Sequence, residues 1–200
     1  MIQATGVILA GGKSVRMGTD KAFLKVGRQG MLEHIAGEFK KVFSEVLISG
    51  GSMETGRNLG LRVVADLIKG NVPLCGIHAA LHAALHEKIL VVACDMPFIT
   101  AELAGFMIRQ LEGYDVAVPS YGIYRQPLFA AYSRSCLSAI EKSLSADRYK
   151  TDDFYSLVKV NYVSMESLCP DIDIKTVYFN VNTPADLHKA REMADKDGER

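Results

Sequence analysis

The sequence has no excess of charge of either sign and little cysteine, and both shortages exclude classes of function. Lysine plus arginine equals aspartate plus glutamate, at 23 each, so no overall field would attract nucleic acid or an anionic membrane. The four cysteines form no CxxC pair, which argues against a zinc or redox motif and favours reduced thiols. No apolar run approaches the ~18 to 20 residues of a membrane-spanning helix, and no export signal is evident. We therefore expect a soluble, cytoplasmic protein.

Familiar catalytic motifs are also missing. The sequence contains no GxGxxG dinucleotide fingerprint, no HExxH zinc motif and no Ser-His-Asp or paired-carboxylate arrangement. Gly12, Lys13 and Ser14 imitate the end of a Walker A loop, but the glycine required five positions earlier is replaced by Val7, inside a predicted strand. A phosphate-binding loop at this place must follow another pattern.

The stretch Val7–Lys21 has the composition of a phosphate clamp. A buried strand, VIL, is followed by Gly11 and Gly12, which let backbone N–H groups approach an anionic ligand closely. A glycine turn with surface lysines is the alternative interpretation. Lys13, Arg16 and Lys21 would supply the positive charge of the clamp, and the spacing of Arg16, Asp20 and Lys21 argues against that alternative.

Length and periodicity predict one α/β domain with a mostly parallel sheet and helices on both faces, because strands and helices alternate along the chain. The run ILVVAC, without polar alternation, indicates a central strand buried on both faces. The region after Ser120 need not follow the parallel order. The predicted strands are Gly6–Ala10, Glu45–Ser49, Arg62–Ala65, Ile89–Cys94, Asp115–Pro119, Pro127–Tyr132, Lys159–Val163 and Thr176–Phe179.

Apolar spacing and capping residues place the helices between these strands. The last helix should begin at Pro184 with Thr183 as its N-cap and Asp186 completing a capping box. The charged segment Ser145–Tyr155 is the candidate for a mobile loop. The other predicted helices are Met31–Phe43, Pro73–Glu87, Thr100–Leu111 and Ser133–Leu144.

Three histidines recur every four residues in the second predicted helix. Neighbours among His78, His82 and His86 could share a metal ion. The outer two, however, would lie ~12 Å apart along the axis at 1.5 Å per residue. A solvated or partly packed helix face is therefore the favoured interpretation.

Four ordered blocks of the sequence resemble the nucleotidyltransferase family that includes the molybdenum cofactor guanylyltransferases. They are LAGGKSVRMGTDK, a Pro-Leu-x-Gly helix start, VVACDMPF and FNVNTP. The resemblance implies a Rossmann-like nucleotidyltransferase domain over 1–200, with residues 1–100 as the nucleotide-binding half and 101–200 as the second-substrate half. It also implies nucleotide contacts by Leu9, Ala10, Gly11, Gly12 and Lys21.

The resemblance assigns Asp95 as the ligand of Mg²⁺, the expected cofactor. Its place directly after a buried strand suits a metal ligand, although an aspartate before Met96-Pro97 can equally cap a turn. Asp66, after RVVAD, stands where the family contacts the nucleotide, but a strand-ending aspartate is often turn chemistry. Ser49 takes a position where relatives often carry asparagine, and its nucleotide contact is the weakest of the three.

In the second half, the resemblance points to three residues near the second substrate. Arg125 in YRQP could bind a phosphate bidentately, or could simply lie at a hairpin tip. Asn180 and Asn182 in FNVNTP would face the active site from one side of an extended backbone. Asparagine is also common in such turns without any function.

The activity implied is transfer of GMP from GTP to Mo-molybdopterin, with pyrophosphate released. Arg16, Lys21 and Asp95 would be the catalytic residues, since they would hold the triphosphate and the metal. Gly11, which is alanine in relatives that use CTP, favours guanine. The alternatives are a nucleotidyltransferase that uses CTP or another phosphorylated acceptor, and a nucleotide-binding adaptor without turnover. Molybdoenzyme-maturation proteins are conceivable partners.

Overall fold

A computed structural model describes residues 1–11, 24–27, 29–70, 72–168 and 173–198 of the chain. The strands in these ranges are β1 (Ile2–Leu9), β2 (Lys25–Val26), β3 (Gln29–Gly30), β4 (Phe43–Ser49), β5 (Arg62–Val64), β6 (Lys88–Ala93), β7 (Val116–Tyr121), β8 (Tyr124–Arg125), β9 (Phe129–Ser133) and β10 (Val160–Ser164). The α-helices are α1 (Met31–Val42), α2 (Met53–Leu59), α3 (Pro73–Ala83), α4 (Ala101–Arg109), α5 (Leu137–Ser145), α6 (Met165–Leu168), α7 (Ile174–Val177) and α8 (Pro184–Gly198).

An eight-stranded sheet forms the centre of the molecule. Its strand order is β10-β7-β9-β6-β1-β4-β5, with β8 paired to β7. β9 runs antiparallel to both of its neighbours, and β8 is antiparallel to β7, so the remaining six strands are parallel. The predicted, mostly parallel α/β architecture is thus confirmed, and so is the expectation that the region after Ser120 departs from the parallel order.

Helices cover both faces of the sheet because the buried strands are apolar on both sides. In β6, Leu90 and Val92 point into the core formed with α1 and α4. Ile89 and Val91 point into the opposite core, formed with α3 and α5. This alternation is the one expected of a central parallel strand.

A glycine in β1 allows α1 to approach the sheet closely. The rings of Phe39 and Phe43 pack edge to face, with centroids 5.2 Å apart, directly over Gly6. A Cβ atom on Gly6 would lie only 2.5 Å from the Phe39 ring and 2.7 Å from the Phe43 ring. Any larger residue at this position therefore forces the helix away from the strand.

Most predicted elements are present with shifted ends, and one is wrong. The segment Thr176–Phe179, predicted as a strand, contains part of α7 instead. Asp173 precedes this helix, and its carboxylate accepts hydrogen bonds from the backbone N–H groups of Lys175 and Thr176. The cap provides local hydrogen bonds that an isolated strand would lack, which explains the error.

The helix ends also differ from the predicted ones. α3 ends at Ala83, four residues before the predicted Glu87, and a 3₁₀ turn over Arg134–Cys136 precedes α5. The capping box of α8 is confirmed: the Asp186 carboxylate accepts from the Thr183 N–H at 2.8 Å, while the Thr183 hydroxyl accepts from the Asp186 N–H at 3.1 Å. No helix in the described ranges is long and apolar enough to cross a bilayer.

We predict opposite stability effects for two glycine-to-alanine changes. Gly6→Ala should lower the free energy of unfolding by about 1–3 kcal/mol, because the methyl group overpacks the two phenylalanines. Gly37→Ala, in α1, should raise it by up to about 1 kcal/mol, because nothing lies within 4 Å of the new methyl group and alanine favours helix. Chemical denaturation measures both. Equal effects of the two changes would contradict the packing described.

Candidate active site

The ends of four neighbouring parallel strands lie level with one another at one edge of the sheet. The register pairs Leu9 of β1 with Ser49 of β4 and with Ala93 of β6, and it pairs Ser49 with Val64 of β5. In open parallel sheets, ligands bind outside the carboxyl ends of the strands. The residues two positions beyond this row are Asp95, Gly11, Gly51 and Asp66.

Backbone hydrogen bonds continue past the strands and fix this edge. The Ala10 N–H donates to the Ser49 carbonyl at 2.9 Å, and the Gly50 N–H donates to the Val64 carbonyl at 2.8 Å. The Cys94 N–H donates to the Leu9 carbonyl at 3.1 Å. The loops that follow the four strands therefore begin from fixed positions.

A second glycine pair, after β4, packs against the first. Gly50 has a φ of +77°, and a Cβ atom there would lie 2.8 Å from both the Cα and N of Gly11. Glycine is required at position 50 for both reasons. Position 11 is different, because among the described residues a Cβ on Gly11 would meet only the Cα of Gly50, at 3.8 Å. Alanine at position 11 therefore fits against the loop after β4.

A cavity of about 500 Å³ opens at this edge. Five of the residues predicted to contact nucleotide line it: Leu9, Gly11, Ser49, Asp66 and Asp95. Other lining residues were not predicted from the sequence; they are Gly50, Gly51, Ala65, Gly76, Cys94 and Leu128. For Gly50 and Gly51, the available signal was a glycine pair directly after the strand VLIS.

Asp66 lies at one end of the row. Its carboxylate makes no hydrogen bond or ion pair with the described residues, although partial desolvation beside the first turn of α3 raises its pKa. The side chain is exposed all the same, so the raised pKa costs the ligand-free protein little. Such a group is suited to accept hydrogen bonds from a ligand, for example from ribose hydroxyls or from the N–H groups of a base.

Ser49 has a different environment. The side chain is buried, and its hydroxyl donates to the Gly76 carbonyl in the first turn of α3 at 2.9 Å. This bond ties the end of β4 to the helix. The hydroxyl proton is thus used inside the protein, and a nucleotide contact by Ser49 would be limited to the lone pairs of its oxygen.

Asp95 lies at the other end of the row and is held by the FNVNTP turn. The N–H of Val181, between the two predicted asparagines, donates to the Asp95 carbonyl at 2.9 Å. The Val181 side chain is buried against α8, and Asn180 and Asn182 flank it in the chain. The Asn180 amide donates to the Tyr178 carbonyl at 3.1 Å.

The N-terminus of α3 borders the cavity. Val72 is the N-cap and Pro73 the first helical residue, and the valine side chain offers no hydrogen bond to the first turn. Unpaired N–H groups and the helix dipole at such a terminus favour anions. This agrees with the expected place of the Pro-Leu-x-Gly helix start.

Arg125 lines a second cavity, of about 530 Å³, that shares Val72 and Pro73 with the first. The side chain is exposed in β8, and its guanidinium lies 4.4 Å from the centre of the Tyr162 ring. Its position in the β7–β8 hairpin fits both interpretations of Arg125, as a phosphate ligand and as a hairpin-tip residue. The remaining wall residues are Ile123, Tyr124, Pro127, Tyr149, Lys150, Thr151 and Asp152.

Two buried tyrosines anchor the walls of the second cavity. The Tyr132 hydroxyl donates to the Pro127 carbonyl at 2.7 Å, so the Tyr155 hydroxyl, 3.1 Å away, donates to Tyr132. Burial raises the pKa of both phenols. Phe154 and Tyr155 belong to the core, so the segment Ser145–Tyr155 is fixed at its aromatic end.

Residues 12–21 of the predicted phosphate clamp lie outside the described residues, among them Gly12, Lys13, Arg16 and Lys21. The last described residue before them is Gly11, which lines the first cavity. The described part of the clamp therefore ends at the cavity. The roles assigned to Arg16 and Lys21 remain predictions.

Comparison with known proteins identifies the family. Residues 6–158 match the model described as the MobA-like NTP transferase domain. A protein of Pelotomaculum thermopropionicum, named "Probable molybdenum cofactor guanylyltransferase", is 62% identical over 98% of this chain and 95% of its own length. A protein of the same name from Carboxydothermus hydrogenoformans is 39% identical over 94% of this chain and 95% of its own length.

A solved structure agrees with these relatives. Molybdopterin-guanine dinucleotide biosynthesis protein A from Archaeoglobus fulgidus is 26% identical, with a TM-score of 0.82 over 96% of this chain and 99% of that one. The sheet order and the cavity at the strand ends are consistent with the family that the sequence matches indicate. The chain belongs to the family of MobA-like NTP transferase domains.

Proposed function

We propose that this chain is a molybdenum cofactor guanylyltransferase, which transfers GMP from GTP to Mo-molybdopterin and releases pyrophosphate. The names of the relatives that match nearly the whole chain support this activity. The observation that carries the proposal is the row of strand ends, with one carboxylate at each end and glycines between them. The row crosses three strand spacings, about 14 Å in all, a span that an extended nucleoside triphosphate can bridge.

The two ends of the row suit different parts of GTP. Asp66 would accept hydrogen bonds from the ribose or the base, where donor groups are found. Gly11, with Gly12, Arg16 and Lys21, would bind the triphosphate through backbone N–H groups and positive charge. The α-phosphate would then lie towards Asp95.

The residues present fit a magnesium ion at Asp95. Mg²⁺ in nucleotide sites is usually held by one or two carboxylates together with phosphate oxygens and water. Asp95 offers a carboxylate at the cavity, and its backbone is fixed by the Val181 N–H. When bound, Mg²⁺ would neutralise charge on the α-phosphate and polarise it for attack.

The reaction requires positioning and charge stabilisation more than proton transfer. The terminal phosphate of molybdopterin would attack the α-phosphorus of GTP in line as the bond to the leaving pyrophosphate breaks, with no covalent enzyme intermediate. A phosphate nucleophile is already ionised near neutral pH, so no general base is needed. Arg16, Lys21 and the Gly11 and Gly12 N–H groups would stabilise the charge on pyrophosphate.

The second cavity is the proposed site for molybdopterin. Arg125 and Lys150 on its walls could attract the acceptor phosphate, and the cavity adjoins the nucleotide cavity at Val72 and Pro73. Asn180 and Asn182 would contact the acceptor from the Asp95 side. This arrangement supports the proposed division into a nucleotide half, 1–100, and a second-substrate half, 101–200.

Pyrophosphate release tests the activity and separates the alternatives. The purified chain is incubated with Mg²⁺ and Mo-molybdopterin, and with either GTP or CTP. Release with GTP alone supports the proposal. Release with CTP alone would mean a cytidylyltransferase, and tight GTP binding without release would mean an adaptor. A cytoplasmic location and contacts with molybdoenzyme-maturation proteins are proposed on family resemblance only.

We predict that Asp95→Asn keeps the fold but lowers kcat by about 10²-fold or more, because an amide is a poorer ligand for Mg²⁺. Half-maximal activity should also require more Mg²⁺. Steady-state kinetics over a Mg²⁺ titration measures both effects. Glu54→Gln, an exposed change in α2, serves as the control and should leave both values unchanged. Wild-type kinetics in Asp95→Asn would remove this residue from the metal site.

For the choice of base, the informative change is Gly11→Ala. The protein should fold normally, because the only described atom that the new methyl group meets is Gly50 Cα, at 3.8 Å. The ratio of kcat/KM for GTP to that for CTP should fall by about 10-fold or more, since one methyl group at a binding surface discriminates by about this amount. An unchanged ratio in a folded variant would show that position 11 does not select the base.

Asp66→Asn should weaken GTP binding while stabilising the protein. Because folding raises the pKa of Asp66 above its ordinary value of 3.8, the cost of ionisation is absent at lower pH and develops as the pH rises through the raised pKa. The variant should therefore have a higher Tm than wild type at pH 7 but not at pH 3.

Asp115→Asn is the matched control with the opposite sign. Hydrogen bonds from the Ser135 hydroxyl, at 2.5 Å, and the Lys159 N–H, at 2.8 Å, lower the pKa of Asp115. Its replacement should lower the Tm at pH 7. The account of Asp66 would be wrong if Asp66→Asn also lowered the Tm at pH 7 or left GTP affinity unchanged.

A further inference from the structure

A cluster of two histidines and one glutamate lies between α3 and α5, outside both cavities. His78 and His82 are one turn apart on α3, and Glu141 faces them from α5. Within the described residues, these three are the only group of histidine, cysteine and acidic side chains with converging ligand atoms. The proposed activity uses none of them.

The three ligand atoms form a nearly equilateral triangle. The two Nε2 atoms are 3.2 Å apart, and they lie 3.2 Å and 3.3 Å from the same carboxylate oxygen of Glu141. Bonds of about 2.0–2.2 Å to a tetrahedral zinc ion separate neighbouring ligand atoms by about 3.3 Å. The triangle thus has the dimensions of one face of a zinc coordination tetrahedron.

The tautomers of the two histidines decide what the triangle can bind. If both Nε2 atoms carry protons, both N–H groups donate to the same Glu141 oxygen. If both protons are on Nδ1 instead, the two Nε2 lone pairs and the carboxylate oxygen face one another. A cation at the centre then satisfies all three atoms.

The surroundings suit a bound cation that keeps an open position. His78 is 4% exposed and is held in the core, while His82 and Glu141 are exposed enough for a fourth ligand, water, to reach the centre.

We propose that His78, His82 and Glu141 bind a divalent transition-metal ion, with Zn²⁺ as the best-fitting probe. The ion would join α3, whose N-terminus borders both cavities, to α5, which leads into the wall formed by 149–152. The Nδ1 of His78 is buried without a hydrogen-bond partner among the described residues. Since such partners normally raise the affinity of a histidine ligand by about 10- to 100-fold, we expect micromolar rather than nanomolar binding.

Calorimetric titration of the untagged protein with ZnCl₂ tests the site. One Zn²⁺ should bind, and the Tm should rise by about 5–10 °C at free Zn²⁺ near 100 times Kd. His82→Ala and Glu141→Gln change exposed side chains, so both variants should fold. Each should weaken binding by at least about 10-fold.

His188→Ala is the matched control. His188 and Glu192 form an exposed pair on α8 with the same 3.3 Å separation, and the described part of the chain supplies no third ligand there. This variant should bind Zn²⁺ as the wild type does. Equal Zn²⁺ affinity in wild type, His82→Ala and Glu141→Gln would overturn the proposal, as would the absence of binding in wild type. Guanylyl transfer is not measured in this experiment, so its outcome is independent of the proposed activity.

Discussion

The level alignment of four parallel strand ends is the constraint on which the site depends. Leu9, Ser49, Val64 and Ala93 share one row across β6, β1, β4 and β5, and backbone hydrogen bonds carry the alignment into the loops. Residues from four distant parts of the chain therefore arrive at one edge. The close contact of α1 with Gly6 and the buried faces of β6 hold these strands in place.

The site includes a carboxylate that does not support the fold. Asp66 is exposed and has no hydrogen-bond partner among the described residues, and partial desolvation raises its pKa, so a bound nucleotide can supply hydrogen bonds that the protein does not. Asp115, at the opposite edge of the sheet, has hydrogen bonds for its carboxylate and supports the fold. Two aspartates beside strands of one sheet thus serve different purposes, and their hydrogen bonds distinguish them.

Local sequence patterns predicted much of the fold. Features that depend on contacts between distant parts of the chain could not be predicted from such patterns. The run ILVVAC and the Thr183 cap act through neighbours in sequence, so both were predictable. The cap at Asp173 overrode the strand-like apolar pattern of Thr176–Phe179. For the metal site, helical spacing pointed only to neighbouring histidines among His78, His82 and His86. The third ligand, Glu141, is 59 residues beyond His82, so spacing could not reveal it.

The central claim is that the strand-end row binds GTP with its base towards Asp66 and its α-phosphate towards Asp95. A crystal structure with a non-hydrolysable GTP analogue and Mg²⁺ tests this most directly. The account predicts a metal ion about 2.1 Å from a carboxylate oxygen of Asp95, bridging to the phosphates, and hydrogen bonds from the nucleoside to Asp66. A nucleotide bound in the reverse direction, or seated in the cavity beside Arg125, would contradict it.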